Sequence, residues 1–135
     1  MPRTIESRFR VRYAETDQMG FVYYSNYLIW MEIGRGDFCR ECGFSYADME
    51  RETQTYLAVA EASCRYITPA RYDQEVVIQT RLEQTKRRYL KFTYSVLNAA
   101  TGTLLAEGHT VHVPLGPDGK PKSIPDLYFE KLAAL

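Results

Sequence analysis

The sequence predicts an α+β domain in which a curled antiparallel sheet wraps a long central helix. Three observations carry that prediction: an alternating segment opens the chain, a helical segment apolar on nearly every side follows, and four long extended runs fill most of the remainder. Both element types carry apolar faces that must leave water, and packing one on the other buries both.

The first segment alternates Ile5, Ser7, Phe9, Val11 and Tyr13 with Glu6, Arg8, Arg10 and Arg12. That period of two marks a strand with one buried and one charged face. After a polar loop, Ser25 or Asn26 can cap a helix that begins in Tyr27-Leu28-Ile29-Trp30-Met31, continues through Phe38 and stops at Gly43. Its first two turns are apolar on nearly every side, which predicts burial against more than one surface. Gly34 and Gly36 each weaken a helix by roughly 1 kcal/mol relative to Ala, so both are read as points of close approach to the sheet. A short amphipathic turn covers Ser45 to Glu52.

The strand-like runs are Tyr56 to Thr68, Gln74 to Thr85, Tyr89 to Asn98 and Leu104 to Leu115, the first with Ala58, Ala60, Ala62 and Cys64 on one face. Runs of ten to twelve residues span about 35 to 40 Å, and so long a twisted sheet must curl. The gaps Lys86-Arg87-Arg88 and Ala99-Ala100-Thr101-Gly102 are the length of antiparallel hairpins. Pro117-Asp118-Gly119 is a turn, and Pro125 opens a terminal helix to Leu135.

Composition bounds the function. At 135 residues one domain over 1–135 is expected, and 17 Lys+Arg against 17 Asp+Glu predict no polyanion-binding surface and no nucleic-acid partner. Apolar runs such as Tyr27 to Met31 fall far short of the roughly 18 residues a membrane span needs. The polar start from Pro2 to Arg12 has no signal-peptide core, and three Cys make an odd count, so free thiols in the cytoplasm are expected. Tyr accounts for 11 residues against six Phe and one Trp, a bias toward rings that sit at an interface or ligand groove.

Several chemistries lack their residues. There is no Gly-rich phosphate loop, no His pair on one helix face and no Gly-x-Ser-x-Gly turn. His109 and His112 lie three apart on an extended run and point to opposite faces, so they cannot chelate one metal together. Cys39 and Cys42 fall inside the helix rather than at its N-terminus, as buried thiols rather than a redox pair. Arg35-Gly36-Asp37 spells an adhesion tripeptide by chance, in a helix expected to be buried. Lys86, Arg87, Arg88 and Lys91 form the tightest basic cluster, either a solvated turn or a clamp for a small phosphorylated ligand.

The informative stretch is Tyr13 to Tyr27, between the first strand and the helix. Asp17 stands just before Gly20 and within ten residues of a helix N-terminus, whose unpaired N–H groups favour a developing oxyanion. A carboxylate and an N–H dipole on either side of an acyl carbon are the minimum for acyl hydrolysis, although a loop Asp near a Gly is also an ordinary turn residue.

The segment Thr16-Asp17-Gln18-Met19-Gly20-Phe21-Val22-Tyr23-Tyr24-Ser25-Asn26-Tyr27, followed by Trp30-Met31-Glu32, resembles the hotdog-fold acyl-CoA thioesterases of the 4-hydroxybenzoyl-CoA thioesterase type. The resemblance implies a five-stranded antiparallel sheet in the order 1-3-4-5-2 around a long helix. It also implies subunits joined along the second strand as a homodimer or homotetramer, an acyl-CoA substrate, and neither cofactor nor metal. By position, Asp17 matches the catalytic carboxylate, a general base toward water or a nucleophile giving a mixed anhydride. Tyr24 matches the residue whose backbone N–H polarises the thioester carbonyl, and Gly20 the glycine of the same loop. Asn26 fixes the loop, orients water or caps the helix. Arg87 and Arg88 match the basic hairpin that meets the phosphates of coenzyme A. Tyr24 stands where relatives carry His, and Gln18-Met19 depart from the common Pro-Ala or Ala-Gly pairs. An enoyl-thioester hydratase and a non-catalytic acyl-thioester-binding module are the alternatives on the same fold.

Overall fold

Alternation and short gaps produce one antiparallel sheet. The computed structural model describes residues 3–134. Strands β1 (Ile5–Arg10), β2 (Tyr56–Tyr66), β3 (Glu75–Lys86), β4 (Tyr89–Asn98) and β5 (Leu104–Leu115) pair in the order β1-β3-β4-β5-β2, every neighbour antiparallel. Hairpins join β3 to β4 and β4 to β5, while β1 and β2 form opposite edges. The helix α1 (Asn26–Glu41) therefore connects one edge of the sheet to the other. Helices α2 (Tyr46–Thr53) and α3 (Asp126–Ala133) complete the fold. No helix among the described residues is long and apolar enough to cross a membrane.

The core lies between α1 and the inner face of the sheet, where Trp30, Met31 and Phe38 join Ile78, Leu90, Phe92 and Val96 in one buried cluster. Each such side chain contributes roughly 1.5–3 kcal/mol by leaving water. Gly34 is the contact point the sequence predicts: a Cβ there would lie 2.2 Å from Thr80 Oγ1 and 3.3 Å from Ile78 Cγ2. Gly36 is not such a point; its Cβ would meet the Arg40 guanidinium, 3.2 Å away on the same helix. Nor is α1 enclosed on every side. Leu28, Ile29 and Ile33 remain exposed, while Trp30, Met31 and Phe38 are buried against the sheet. The helix stops as expected: Gly43 N–H donates to the Arg40 carbonyl and Phe44 N–H to the Cys39 carbonyl, the paired bonds of a Schellman end.

The small-residue face expected on β2 is broken by a bulge. Val59 pairs with His112 and Glu61 with Val111, leaving Ala60 as the extra residue. Alternation inverts there, so Leu57 and Cys64, seven positions apart, both pack on the core, while Ala58, Ala60, Ala62 and Cys64 share no common face. The first strand also ends early. Tyr13, expected on its apolar face, instead starts a 3-10 turn (Tyr13–Glu15) and is 77% exposed. Pro125 takes the N-cap position of α3 rather than its first helical position, and Leu135, the expected end of that helix, lies outside the described residues.

Candidate active site

The loop between β1 and α1 folds back on itself as a small hairpin. Thr16 and Val22 form an isolated antiparallel bridge, Asp17 N–H donates to the Phe21 carbonyl at 2.8 Å, and Gly20 N–H donates to the Asp17 carbonyl at 3.0 Å. Gly20 closes the turn at φ +80°, a region that disfavours side chains. Asp17 sits at this corner. Its Oδ1 accepts the Met19 and Phe21 N–H groups at 2.9 and 3.2 Å, and its Oδ2 has no hydrogen-bond partner among the described residues.

The loop leads directly into the N-terminus of α1. Asn26 and Tyr27 N–H groups turn back to the Tyr23 and Tyr24 carbonyls, at 3.0 and 3.3 Å, whereas the Tyr24 and Ser25 N–H groups donate to no acceptor among the described residues. Free donors at a helix start carry its positive end. Neither residue expected as a side-chain cap fills that role. Ser25 holds the N-cap position without a side-chain bond, and Asn26 Nδ2 donates to the Glu15 carbonyl at 2.9 Å, fixing the loop instead.

Asp17 and Tyr24 line the same open cleft of about 400 Å³, with Met19, Phe21, Tyr27 and Tyr66 among its other walls. Tyr66 comes from the end of β2 and donates its hydroxyl to the Tyr24 carbonyl at 3.1 Å. Its pKa is pushed up to about 12, by burial first and by the neighbouring Cys64 next. Tyr23 and Tyr24 rings lie 4.6 Å apart, and the hydrogen bond to Tyr24 raises the Tyr23 pKa. Asp17 also lines a second opening, with Tyr13, Thr16, Gly20 and Tyr72.

Sequence reasoning missed Glu15. This residue is 4% exposed, yet it is ionisable and its carboxylate accepts the Arg12 N–H at 2.7 Å and the Trp30 indole N–H at 2.8 Å. Its carbonyl accepts the Tyr23 N–H at 2.8 Å in addition to Asn26. Burial works to raise the Glu15 pKa, but the Arg12 N–H, the Trp30 indole and the Arg12 guanidinium outweigh it and hold the carboxyl below its ordinary value. The available signal was an acid two residues before Asp17 with the lone Trp of the chain in the adjoining helix, a donor that needs an acceptor when buried.

Arg87 and Arg88 are not brought to this cleft within one protomer. The register sets β1's last residue opposite Glu75 and β2's Tyr66 level with Ile78, both toward the start of β3, whereas Lys86, Arg87 and Arg88 lie at the other end, roughly 25 to 35 Å along the strand. Arg87 pairs with Asp126 and stacks on Phe129, and Arg88 Nε donates to Ser123 Oγ at 3.3 Å. Lys91 stands apart from them, 3.8 Å from Glu83. The histidines are also remote. His109 pairs with Glu61 at 2.9 Å in a polar trough on the sheet's outer face, and His112 is buried against Thr110. Cys39 and Cys42 are free, their thiols pushed up by burial to about 12 and about 11. Among the described residues no group of three or more His, Cys, Asp and Glu is placed to hold a metal.

Chemically, the cleft offers a carboxylate oxygen able to take a proton or attack an acyl carbon, and main-chain donors able to receive an oxyanion. The thioesterase-like superfamily matches residues 11–132. The acyl-CoA thioester hydrolase YbgC of Escherichia coli O157:H7 is 32% identical over 117 residues, which cover 86% of each chain. The DHNA-CoA thioesterase of Staphylococcus aureus superposes with a TM-score of 0.89 at 32% identity, covering 98% of this chain and 92% of that one. The 4-hydroxybenzoyl CoA thioesterase of Pseudomonas sp. strain CBS-3 shares the fold, with a TM-score of 0.85 at 21% identity over 96% and 99% of the two chains. A match that runs from the end of β1 through most of α3, on a five-stranded hotdog sheet, makes this chain a member of the thioesterase-like superfamily.

Proposed function

We propose that this chain, acting as one domain, is an acyl-CoA thioesterase that hydrolyses its substrate to the free acid and coenzyme A. One observation carries the proposal: Asp17, with an unengaged carboxylate oxygen, and Tyr24, whose N–H is unbonded, line one cleft. Asp17 takes a proton from water as the oxygen adds to the thioester carbon. The oxyanion forms against the Tyr24 N–H, and its collapse breaks the carbon–sulfur bond and releases the thiolate. Direct attack by Asp17 would instead give a mixed anhydride. Single-turnover hydrolysis in ¹⁸O-water separates the two routes, since only the general base must place the label in the acid during the first turnover.

The functional unit is a homodimer or homotetramer joined along β2. That edge is eleven residues long and unpaired, whereas the β1 edge is six residues long and carries Glu6, Arg8 and Arg10. An open edge of such length is an association surface unless it is protected. A two-fold along β2 runs the paired strands in opposite directions, so the hairpin with Arg87 and Arg88 of the partner subunit arrives at the Asp17 end of the first. The phosphate clamp thus reaches the cleft in trans. Free thiols at Cys39, Cys42 and Cys64 suit the cytoplasm.

A thiol-trapping assay across short, long and aromatic acyl-CoAs tests the activity. Release of coenzyme A is expected; tight binding without release would make the protein a binding module. Hydration of an enoyl thioester is disfavoured because neither His lines the cleft. Mixing inactive Asp17→Asn with the Arg87→Ala/Arg88→Ala double variant tests the dimer. Heterodimers regain one intact site if the arginines act in trans, and regain none if they act in cis.

A further inference from the structure

We infer that Glu15 is a positioning residue that holds Asp17 and the Tyr24 N–H in fixed relation across the cleft. The inference rests on the thioesterase proposal above and extends it to a residue that touches no substrate.

Glu15 engages both ends of the loop at once. Its carbonyl accepts Tyr23 N–H and Asn26 Nδ2, at 2.8 and 2.9 Å, which ties the residue before Tyr24 and the first residue of α1 to it. Its carboxylate accepts Arg12 N–H and Trp30 Nε1–H, at 2.7 and 2.8 Å, which anchors Glu15 itself to the 3-10 turn on one side and to the buried flank of α1 on the other. Trp30 is closely packed, wholly buried with the Phe9 and Tyr27 rings 5.2 and 4.9 Å away. Asp17 follows Glu15 by two residues, through a Thr16 that is itself bridged to Val22. Removal of the carboxylate frees the segment on which both groups depend, while Asp17 and Tyr24 keep their own covalent and hydrogen-bonding equipment.

Stability alone does not require a carboxylate here, although its hydrogen bonds and the Arg12 charge outweigh its burial. An ionised carboxylate out of water carries a desolvation penalty that well-packed apolar neighbours of similar volume avoid. What the carboxylate adds is two fixed acceptor directions, and catalysis by oriented groups is sensitive to displacements of about 1 Å.

Glu15→Gln tests the inference, since the amide presents one acceptor oxygen where the carboxylate presents two. Turnover should fall roughly 10- to 100-fold with KM within about twofold, because misalignment weakens interactions made in the transition state. In the Asp17→Asn background the same substitution should reduce turnover by a factor at least threefold smaller than in the parent, as residues of one unit are not additive. Trp30→Phe, which removes one donor and leaves Glu15 in place, should give a smaller loss of the same kind. Hydrogen exchange at the Tyr23 amide, read by NMR, follows the joint without turnover and should quicken about tenfold or more in Glu15→Gln.

Turnover of Glu15→Gln within twofold of the parent, while Asp17→Asn is impaired, sinks the positioning role and spares the thioesterase proposal. An identical loss in both backgrounds means that Glu15 only sets the folded fraction, which also overturns it. Should the parent release thiol from no acyl-CoA, the thioesterase proposal fails, and unchanged Tyr23 exchange would then separately reject Glu15 as the joint.

Discussion

The two ends of α1 are both crowded with tyrosine and polar atoms, but only one is open. At the N-terminus, Tyr23 and Tyr24 are exposed, N–H groups are unbonded and a cleft reaches Asp17. Toward the C-terminus, half-buried Arg35 donates to the Tyr94 hydroxyl at 3.3 Å, which meets Thr110 at 2.7 Å, which meets His112 at 2.8 Å, the last three buried. The larger displacements of proton affinity belong to the closed end. Burial and the Arg35 charge push His112 down to about 4, and burial raises Cys39 to about 12 and Tyr46 well above its usual range. Buried polar groups shift one another whether or not a substrate can reach them. Accessibility and free donors therefore mark the candidate site better than perturbed titration does.

Asp17→Asn is the sharpest way to break that comparison. Turnover should drop roughly 10²- to 10⁴-fold with the circular dichroism spectrum unchanged. Unaltered hydrolysis would remove the open end from the chemistry.

The closed end should answer to pH through stability. His112 has its folded pKa lowered from 6.5 to about 4, so between those values the unfolded chain binds a proton that the folded one does not. Stability is then full above about pH 6.5 and declines as pH falls toward 4, by about 3 kcal/mol in total. Glu15, also lowered, adds to the loss below its unfolded value of 4.5. Urea midpoints from pH 8 to 4, compared with those of His112→Gln, measure the His112 share; parallel profiles would refute it.

Between the two ends, the glycines separate by sign. Gly34→Ala places a methyl against Thr80 and should destabilise by roughly 1–3 kcal/mol. Gly36→Ala meets only a flexible Arg40 side chain and should stabilise by up to about 1 kcal/mol. Melting temperatures moving in the same direction would contradict the assigned packing. The smallest effect belongs to Arg87→Ala/Arg88→Ala, a rise in KM of about tenfold with kcat retained, since phosphate contacts act equally in ground and transition states. A loss confined to kcat would exclude the clamp.

Local patterning made most of the architecture readable. Period-two segments, hairpin-length gaps and a Gly at the helix end act over a few residues, so β3, β4, β5 and the stop of α1 fall within a residue or so of expectation. For the candidate site, the residues alone raised Asp17 without deciding its role, because a loop Asp beside a Gly has many uses, and Tyr24 entered by resemblance. Glu15 was hidden because its significance depends on an indole fifteen residues away on another element.

Sequence alone determined the element types, their order and the balanced charge of the chain, since each follows from composition or short-range spacing. Tertiary structure decided the rest. The bulge at Ala60 reversed the faces of β2, one flank of α1 stayed in water, and Asn26 went to Glu15 rather than to the helix cap. It also put Arg87 and Arg88 at the far end of the sheet from Asp17. These outcomes depend on which partner a group finds across long sequence separations, and register and burial fix that partner only when the whole sheet closes on the helix.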